Sequence, residues 1–229
     1  MSRTLNELEA SKLLSRHGIP MTESMLCRDR AQLPEIAGSL GFPVVMKILS
    51  ADILHKTEAG CVRLSIRSLA DMETAYDEIL ANAAKNAPAA RIEGVIIQRM
   101  QAEGLQVIFG VNRDSQFGPV VVFGIGGIYV ELLKAVSMRL LPITRADALE
   151  MIEETPLAMI FQGARGKRYD REEVVAVLLG LSGLLGEHPE IREIDINPFI
   201  LYEQNGAKSC GVDAIVVMDE SNVPLSFST

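Results

Sequence analysis

Cysteine is scarce in this 229-residue chain, which has only Cys27, Cys61 and Cys210. Three scattered thiols are too few for a disulfide framework or a cysteine zinc site, and they point to a reducing compartment. Long apolar runs are missing as well. None reaches the length of a membrane span, and the chain opens into a polar helical pattern rather than a signal peptide. Basic residues are outnumbered, 22 Lys and Arg against 30 Asp and Glu, giving a net charge of −8. That balance argues against a nucleic-acid surface and for a small-molecule or protein partner. No internal repeat or low-complexity segment occurs. The expectation is a cytoplasmic globular chain with neither nucleic acid nor membrane among its partners.

What is present alternates between helical and extended patterns. Thr4 and Glu7 have capping-box spacing, and Ala10, Leu13, Leu14 and His17 share one helical face before Gly18 and Pro20 end the element, placing a helix over 4–18. Leu33, Ile36, Ala37 and Leu40 predict a second helix. Strands follow near 43–49 and 61–66, and Leu69, Met72, Tyr76, Ile79 and Leu80 mark another helix. Strand-like runs at 93–100, 104–111 and 119–124 lead into Gly124-Ile125-Gly126-Gly127, and helices near 145–154 and 171–186 precede a terminal hairpin. A soft boundary near residue 95 divides the chain into two α+β halves, approximately 20–95 and 96–218, with any ligand expected between them.

Several residues break the apolar patterns. In Glu193-Ile194-Asp195-Ile196-Asn197-Pro198, period two sends Glu193, Asp195 and Asn197 to one face and the isoleucines to the other. Asn205-Gly206 is a hairpin signal, and the return segment brings Asp213 alongside. Oxygen ligands with little nitrogen or sulfur suit a hard ion such as Mg²⁺, although the solvated face of an edge hairpin has the same pattern. Lys47 interrupts a strand that otherwise reads as buried, which is costly unless the ammonium meets an anion such as phosphate or snorkels at a sheet edge. His55, in His55-Lys56-Thr57-Glu58-Ala59-Gly60, is the one histidine of three in a loop between strands. Neutral imidazole is a nucleophile, and Lys56 would attract a phosphoryl group, although an isolated loop histidine is commonly a surface residue without a role. The glycines at 124–127 permit close backbone approach to phosphates or an unusual turn. The basic loop Gln162–Arg168 is either a phosphate clamp or solvated.

Taken in order, these motifs resemble those of the ATP-grasp subunits of the nucleoside-diphosphate-forming acyl-CoA synthetases, near the β chains of ADP-forming acetate–CoA ligases and more distantly those of succinyl-CoA synthetases. The resemblance rests on Leu8-Glu9-Ala10 to Gly18-Ile19-Pro20, Gly41-Phe42-Pro43-Val44-Val45-Met46-Lys47, His55 to Gly60, Arg113-Asp114 through Phe117-Gly118-Pro119 to Gly126-Gly127, Arg165-Gly166, and Asp195-Ile196-Asn197-Pro198. It covers the chain to about residue 218. It implies a single ATP-grasp fold, two α+β halves with the nucleotide between them. By the same resemblance Lys47 neutralises phosphates, Gln98, Arg99 and Met100 form an adenine-side hinge, and Lys56, Gln106 and Arg165 contact the nucleotide. Asn197 and Asp213 hold Mg²⁺, His55 carries phosphate, and Asp195 steadies phosphohistidine.

The implied reaction is acid + CoA + ATP ⇌ acyl-CoA + ADP + phosphate. No CoA-binding Rossmann fingerprint and no second phosphohistidine loop is found here. The resemblance therefore implies a CoA-binding α subunit that carries the acyl site and a second phosphohistidine, in a hetero-oligomer. The chain departs from the family pattern at Cys61 (usually glycine), Gln106 (usually glutamate), Ala135 (often aspartate) and Arg99 (often glutamate). These departures keep a second reading open, a regulatory or decayed ATP-grasp subunit, or the counterpart of the ATP-grasp domain of fused protein acetyltransferases. A carboxylate–amine ligase is a third reading, disfavoured because it needs no loop histidine.

Overall fold

The computed structural model describes the chain apart from residues 1, 54, 127–135, 164–165, 205–206 and 220–229. Gly127, Ala135, Arg165 and the Asn205-Gly206 turn signal therefore lie outside the described residues. The chain divides into two units, one formed by 22–102 and the other by 1–21 together with 103–229.

The contiguous unit is a four-stranded antiparallel sheet under two helices. Its strands are β2 (Ser24–Cys27), β3 (Val44–Leu49), β4 (Val62–Ile66) and β5 (Gly94–Arg99), in the order β2-β5-β3-β4. Helix α2 (Leu33–Leu40) starts with proline in its first turn, where a missing N–H costs nothing, and α3 (Leu69–Asn86) is capped by the Ser68 hydroxyl, which accepts from the Asp71 N–H at 3.1 Å. Val44, Met46 and Ile48 of β3, with Val95 and Ile97 of β5, join the helices in the core. The alternate residues Val45, Lys47, Ile96 and Gln98 therefore share the opposite face.

The discontinuous unit begins with β1 (Ser2–Thr4) and helix α1 (Glu7–Arg16) and continues from residue 103. Its sheet orders β1-β11-β9-β6-β7-β8, with β10 also on β9. These later strands are β6 (Leu105–Asp114), β7 (Gly118–Ile125), β8 (Val136–Leu140), β9 (Ile191–Leu201), β10 (Cys210–Gly211) and β11 (Ala214–Asp219), and their ladders are antiparallel. Helices α1, α4 (Arg145–Glu153), α5 (Leu157–Phe161) and α6 (Arg171–Glu187) send apolar side chains into one core with Val107, Phe109, Val111, Phe123, Ile194 and Ile196. Phe109 is its centre, with ring centroids 5.2 Å from both Phe123 and Phe199. The period-two partners of these strand residues (Gln106, Ile108, Gly110, Asn112, Glu193 and Asp195) point away from that core.

Several sequence expectations are corrected in detail. The capping box of α1 is Asn6 with Glu9, whose reciprocal bonds are both 3.0 Å, rather than Thr4 with Glu7. Thr4 is instead committed to β1, opposite Val217. The helix spans Glu7–Arg16 rather than 4–18, and His17 caps its C-terminus instead of continuing its apolar face. The division between units follows Ala102 rather than a position near 95, because β5 pairs with both β2 and β3 and cannot leave that sheet. Among the described residues no helix is long and apolar enough to cross a membrane.

Candidate functional site

Lys47 and Gln98 are set by the four-stranded sheet. Lys47 lies opposite Ile96 on one side and Val62 on the other, so its strand is flanked on both edges. It is only 7% exposed. A lysine snorkelling at a sheet edge does not describe this position. Gln98, 5% exposed, pairs with Val45 and Ser24 and is one pleat along from the partner of Lys47, so the two polar groups are diagonal neighbours on one face. The sheet continues to hold the chain past Gln98. The Arg99 N–H donates to the Glu23 carbonyl at 3.1 Å and the Met100 N–H to the Pro43 carbonyl at 3.0 Å. Arg99 itself is exposed and Met100 half-buried.

The loop carrying His55 is pinned at both ends. Ile53 and Cys61 are buried in the core of the same unit. Between them the Ala59 N–H donates to the His55 carbonyl at 3.0 Å and the Cys61 N–H to the Lys56 carbonyl at 2.8 Å, folding the segment into one compact turn. Helix α3 grips the turn from below: Asn82 donates to the Gly60 carbonyl and Asn86 to the Ala59 carbonyl, each at 2.9 Å. Gly60 has φ of +68°, a left-handed backbone that glycine adopts without strain, and an added Cβ would sit 3.0 Å from the Asn82 amide nitrogen. The Cys61 thiol approaches the Ala59 and Ile79 carbonyls, and burial pushes its pKa up, so it is an inert anchor rather than a nucleophile. His55 stands exposed at the other end of the turn, and Lys56 beside it is half-buried.

The acidic and amide groups belong to the larger sheet. Along β9, Ile194 and Ile196 are buried, Glu193 and Asp195 half-buried, and Asn197 exposed, the alternation expected from the sequence. Asp195 lies opposite Gly110 of β6 and Ile215 of β11. Because Gly110 has no side chain, the sheet surface beside the carboxyl is open; an added Cβ there would meet nothing closer than 3.6 Å. The return segment does come alongside, with the Asn197 N–H donating to the Asp213 carbonyl at 3.2 Å. Burial, then the charges of Glu193 and Asp213, raise the pKa of Asp195. The charges of Glu193 and Asp213 thus oppose the ionisation of Asp195, and a divalent cation reverses the sign of that field. Carboxylate and amide oxygens form the donor set Mg²⁺ accepts, with water and phosphate completing its shell.

The remaining expected residues are distributed as follows. Gln106 is exposed on β6 opposite Ile200, and its carbonyl accepts from the Gly126 N–H at 2.9 Å. An added Cβ at Gly126 would fall 2.9 Å from the Val107 carbonyl carbon, so this glycine is required for its approach to the β6 backbone. In the basic loop, Lys167 forms an ion pair with Glu203 at 3.3 Å. Lys47, Lys56, Gln98, Arg99 and Met100 are brought together in one unit with His55, whereas Gln106, Asp195, Asn197 and Asp213 share the other. Sequence reasoning missed a separate grouping of His17 with the adjacent pair Glu187 and His188, 170 residues further along the chain, a convergence that has no sequence signal.

Residues 1–218 match the ATP-grasp domain family. The chain is 44% identical over 218 residues to the β subunit of acetate–CoA ligase [ADP-forming] I of Pyrococcus furiosus, covering 95% of this chain and 93% of that one. It is 42% identical over 200 residues to acetate–CoA ligase [ADP-forming] I of Archaeoglobus fulgidus, but covers only 29% of that longer protein. Among solved structures it superposes with a TM-score of 0.81, at 34% identity and covering 94% of this chain and 92% of the other, on an acetyl-coenzyme A synthetase of Ca. Korarchaeum cryptofilum. That enzyme was solved with coenzyme A and Mg-AMPPCP, its phosphohistidine segment pointing towards the nucleotide-binding site.

Proposed function

Because the chain belongs to the ATP-grasp domain family, we propose that it is the nucleotide-binding, phosphoryl-transferring subunit of an ADP-forming acyl-CoA synthetase. The reaction is acid + CoA + ATP ⇌ acyl-CoA + ADP + phosphate. A free carboxylate resists attack by a thiol, and phosphorylation turns it into an acyl phosphate with a good leaving group. The single observation that carries the reading is the exposed His55 on a turn pinned at both ends, in a chain that is 44% identical to such a β subunit over 95% of its length.

In this reading Lys47, buried in a strand flanked on both sides, meets the nucleotide phosphates. Lys56 and Arg165 add positive charge, Gln98, Arg99 and Met100 form the adenine-side hinge, and Gln106 contributes a neutral polar contact. Asn197 and Asp213 hold Mg²⁺, which when bound neutralises charge on the transferring phosphoryl group. One nitrogen of neutral His55 attacks the γ-phosphorus; the P–O bond to ADP breaks, and ADP leaves with that electron pair. Asp195 steadies the resulting phosphoimidazole. The turn then presents the phosphoryl group to a CoA-binding α subunit, which carries the acyl site and a second phosphohistidine.

The test uses γ-labelled Mg-ATP with the chain alone and with its partner. Acid-labile, base-stable label should appear on the wild type and not on His55→Ala, which should still bind ATP but support no net acyl-CoA formation in the assembled enzyme. Wild-type turnover by His55→Ala would sink the relay. Absence of both nucleotide binding and label in the wild type would favour a decayed subunit.

A further inference from the structure

The two histidines outside the loop meet in the fold. His17 caps the C-terminus of α1 and His188 that of α6, and their rings pack edge to face with centroids 5.2 Å apart. The approach is built into the backbone: an added Cβ at Gly180 of α6 would lie 3.0 Å from the His17 carbonyl. His17 Nδ1 is 3.0 Å from the Leu13 carbonyl oxygen, and His188 Nδ1 is 3.0 Å from Oε1 of Glu190, a residue only 9% exposed. A carbonyl and a carboxylate can only accept, so Nδ1 carries the hydrogen in both rings and Nε2 keeps the lone pair of the neutral imidazole. Metal-binding histidines are oriented in this way, with the outer N–H held by a carbonyl or carboxylate.

Facing them is Glu187, whose Oε2 is 3.2 Å from His17 Nε2. A lone pair directed at a carboxylate requires a positive charge between the two atoms, either a proton or a metal ion. One ligand atom from each of His17, Glu187 and His188 lies within 4.8 Å of the others. A tetrahedral Zn²⁺ with bonds of about 2.0–2.1 Å separates its ligands by about 3.3 Å, so the first pair already has the spacing. The carboxylate is the exposed member and so the one with room to adjust, its side chain 71% exposed against 16% and 24% for the two imidazoles. Both helices direct their negative C-terminal ends at the cluster, which favours a cation further.

We propose that His17, Glu187 and His188 bind one divalent transition ion of the Zn²⁺ type, oriented by Glu190 and the Leu13 carbonyl and completed by water. Two nitrogens and one oxygen suit Zn²⁺, Co²⁺ or Ni²⁺ better than Mg²⁺. None of the residues assigned to nucleotide or phosphate takes part. The ion would tie α1 to α6 across 170 residues of chain.

The test uses the full chain, stripped with a chelator and held in excess Mg²⁺ so that oxygen sites are filled. Calorimetric titration with Zn²⁺ should saturate at one equivalent, and Co²⁺ should give the visible absorption of a low-coordinate nitrogen–oxygen site. His17→Gln and His188→Gln should each weaken binding by at least tenfold, and Glu190→Gln by roughly 10- to 100-fold. Zn²⁺ should raise the unfolding midpoint of the wild type but not of the two histidine variants. Circular dichroism checks that each variant folds. No saturable uptake by the wild type would overturn the proposal and leave a protonated His17–Glu187 ion pair. Uptake that survives both histidine substitutions would overturn it equally.

Discussion

Replacing Lys47 by methionine separates charge from shape. The lysine sits in a strand paired on both sides and is 7% exposed. Methionine keeps an unbranched stem of similar length, so no large cavity opens and the strand persists. Only the ammonium is lost. A hydrogen bond to a charged group contributes about 1.5–3 kcal/mol. At about 1.4 kcal/mol per tenfold change this becomes a roughly 10- to 150-fold loss of affinity for Mg-ATP. Calorimetry with a non-hydrolysable Mg-nucleotide measures the loss directly, and circular dichroism on the same samples shows whether the sheet is intact. An intact sheet with wild-type affinity would refute the argument, since the buried ammonium would then serve the fold alone.

Three further outcomes are expected. Asn197→Ala and Asp213→Ala should each weaken Mg-dependent nucleotide binding several-fold while leaving the fold intact; unchanged Mg²⁺ dependence in both would reject the ligand assignment. Asp195 has a folded-state pKa above its unfolded value, so the folded state holds the extra proton and stability falls as pH rises from the ordinary carboxylate range through the raised value. Asp195→Asn should therefore raise the metal-free unfolding midpoint at neutral pH but not in strong acid, while reducing phosphohistidine formation; a variant no more stable than wild type at neutral pH would contradict the field described for the cluster. Gly126→Ala forces a Cβ to within 2.9–3.0 Å of the Gln106–Val107 backbone and should cost about 1–3 kcal/mol in urea unfolding, an effect that an open turn at that position would not produce.

The legible parts of the fold were those where one periodicity dominates. The β9 alternation placed Ile194 and Ile196 in the core and left Glu193, Asp195 and Asn197 outward, and the apolar run around Lys47 marked a buried strand. The short strands β1 and β2 escaped reading, because Ser2–Thr4 and Ser24–Cys27 become strands only through partners far along the chain. The same long-range pairing moved the start of α1, since both Thr4 and Asn6 can cap and only the pairing of Thr4 with Val217 decides between them. Gly126 was legible as special but not for its reason, which is the approach of another strand's backbone. The His17–His188 meeting was not legible at all, as each residue merely follows a helix.

The larger unit is closed by strands far apart in the sequence: Ser2 pairs with Asp219, and β9, which bridges β6 and β11, is made after β6. During synthesis the four-stranded unit has all its residues once Ala102 has emerged and can fold from contiguous sequence. The first twenty-one residues cannot. Their helix, with Ala10 and Leu14 destined for the core, must wait in an unfinished state until β11 has been made. A frameshift or truncation that removes β11 therefore also strips β1 of its partner, so that damage late in this domain is felt in its first strand.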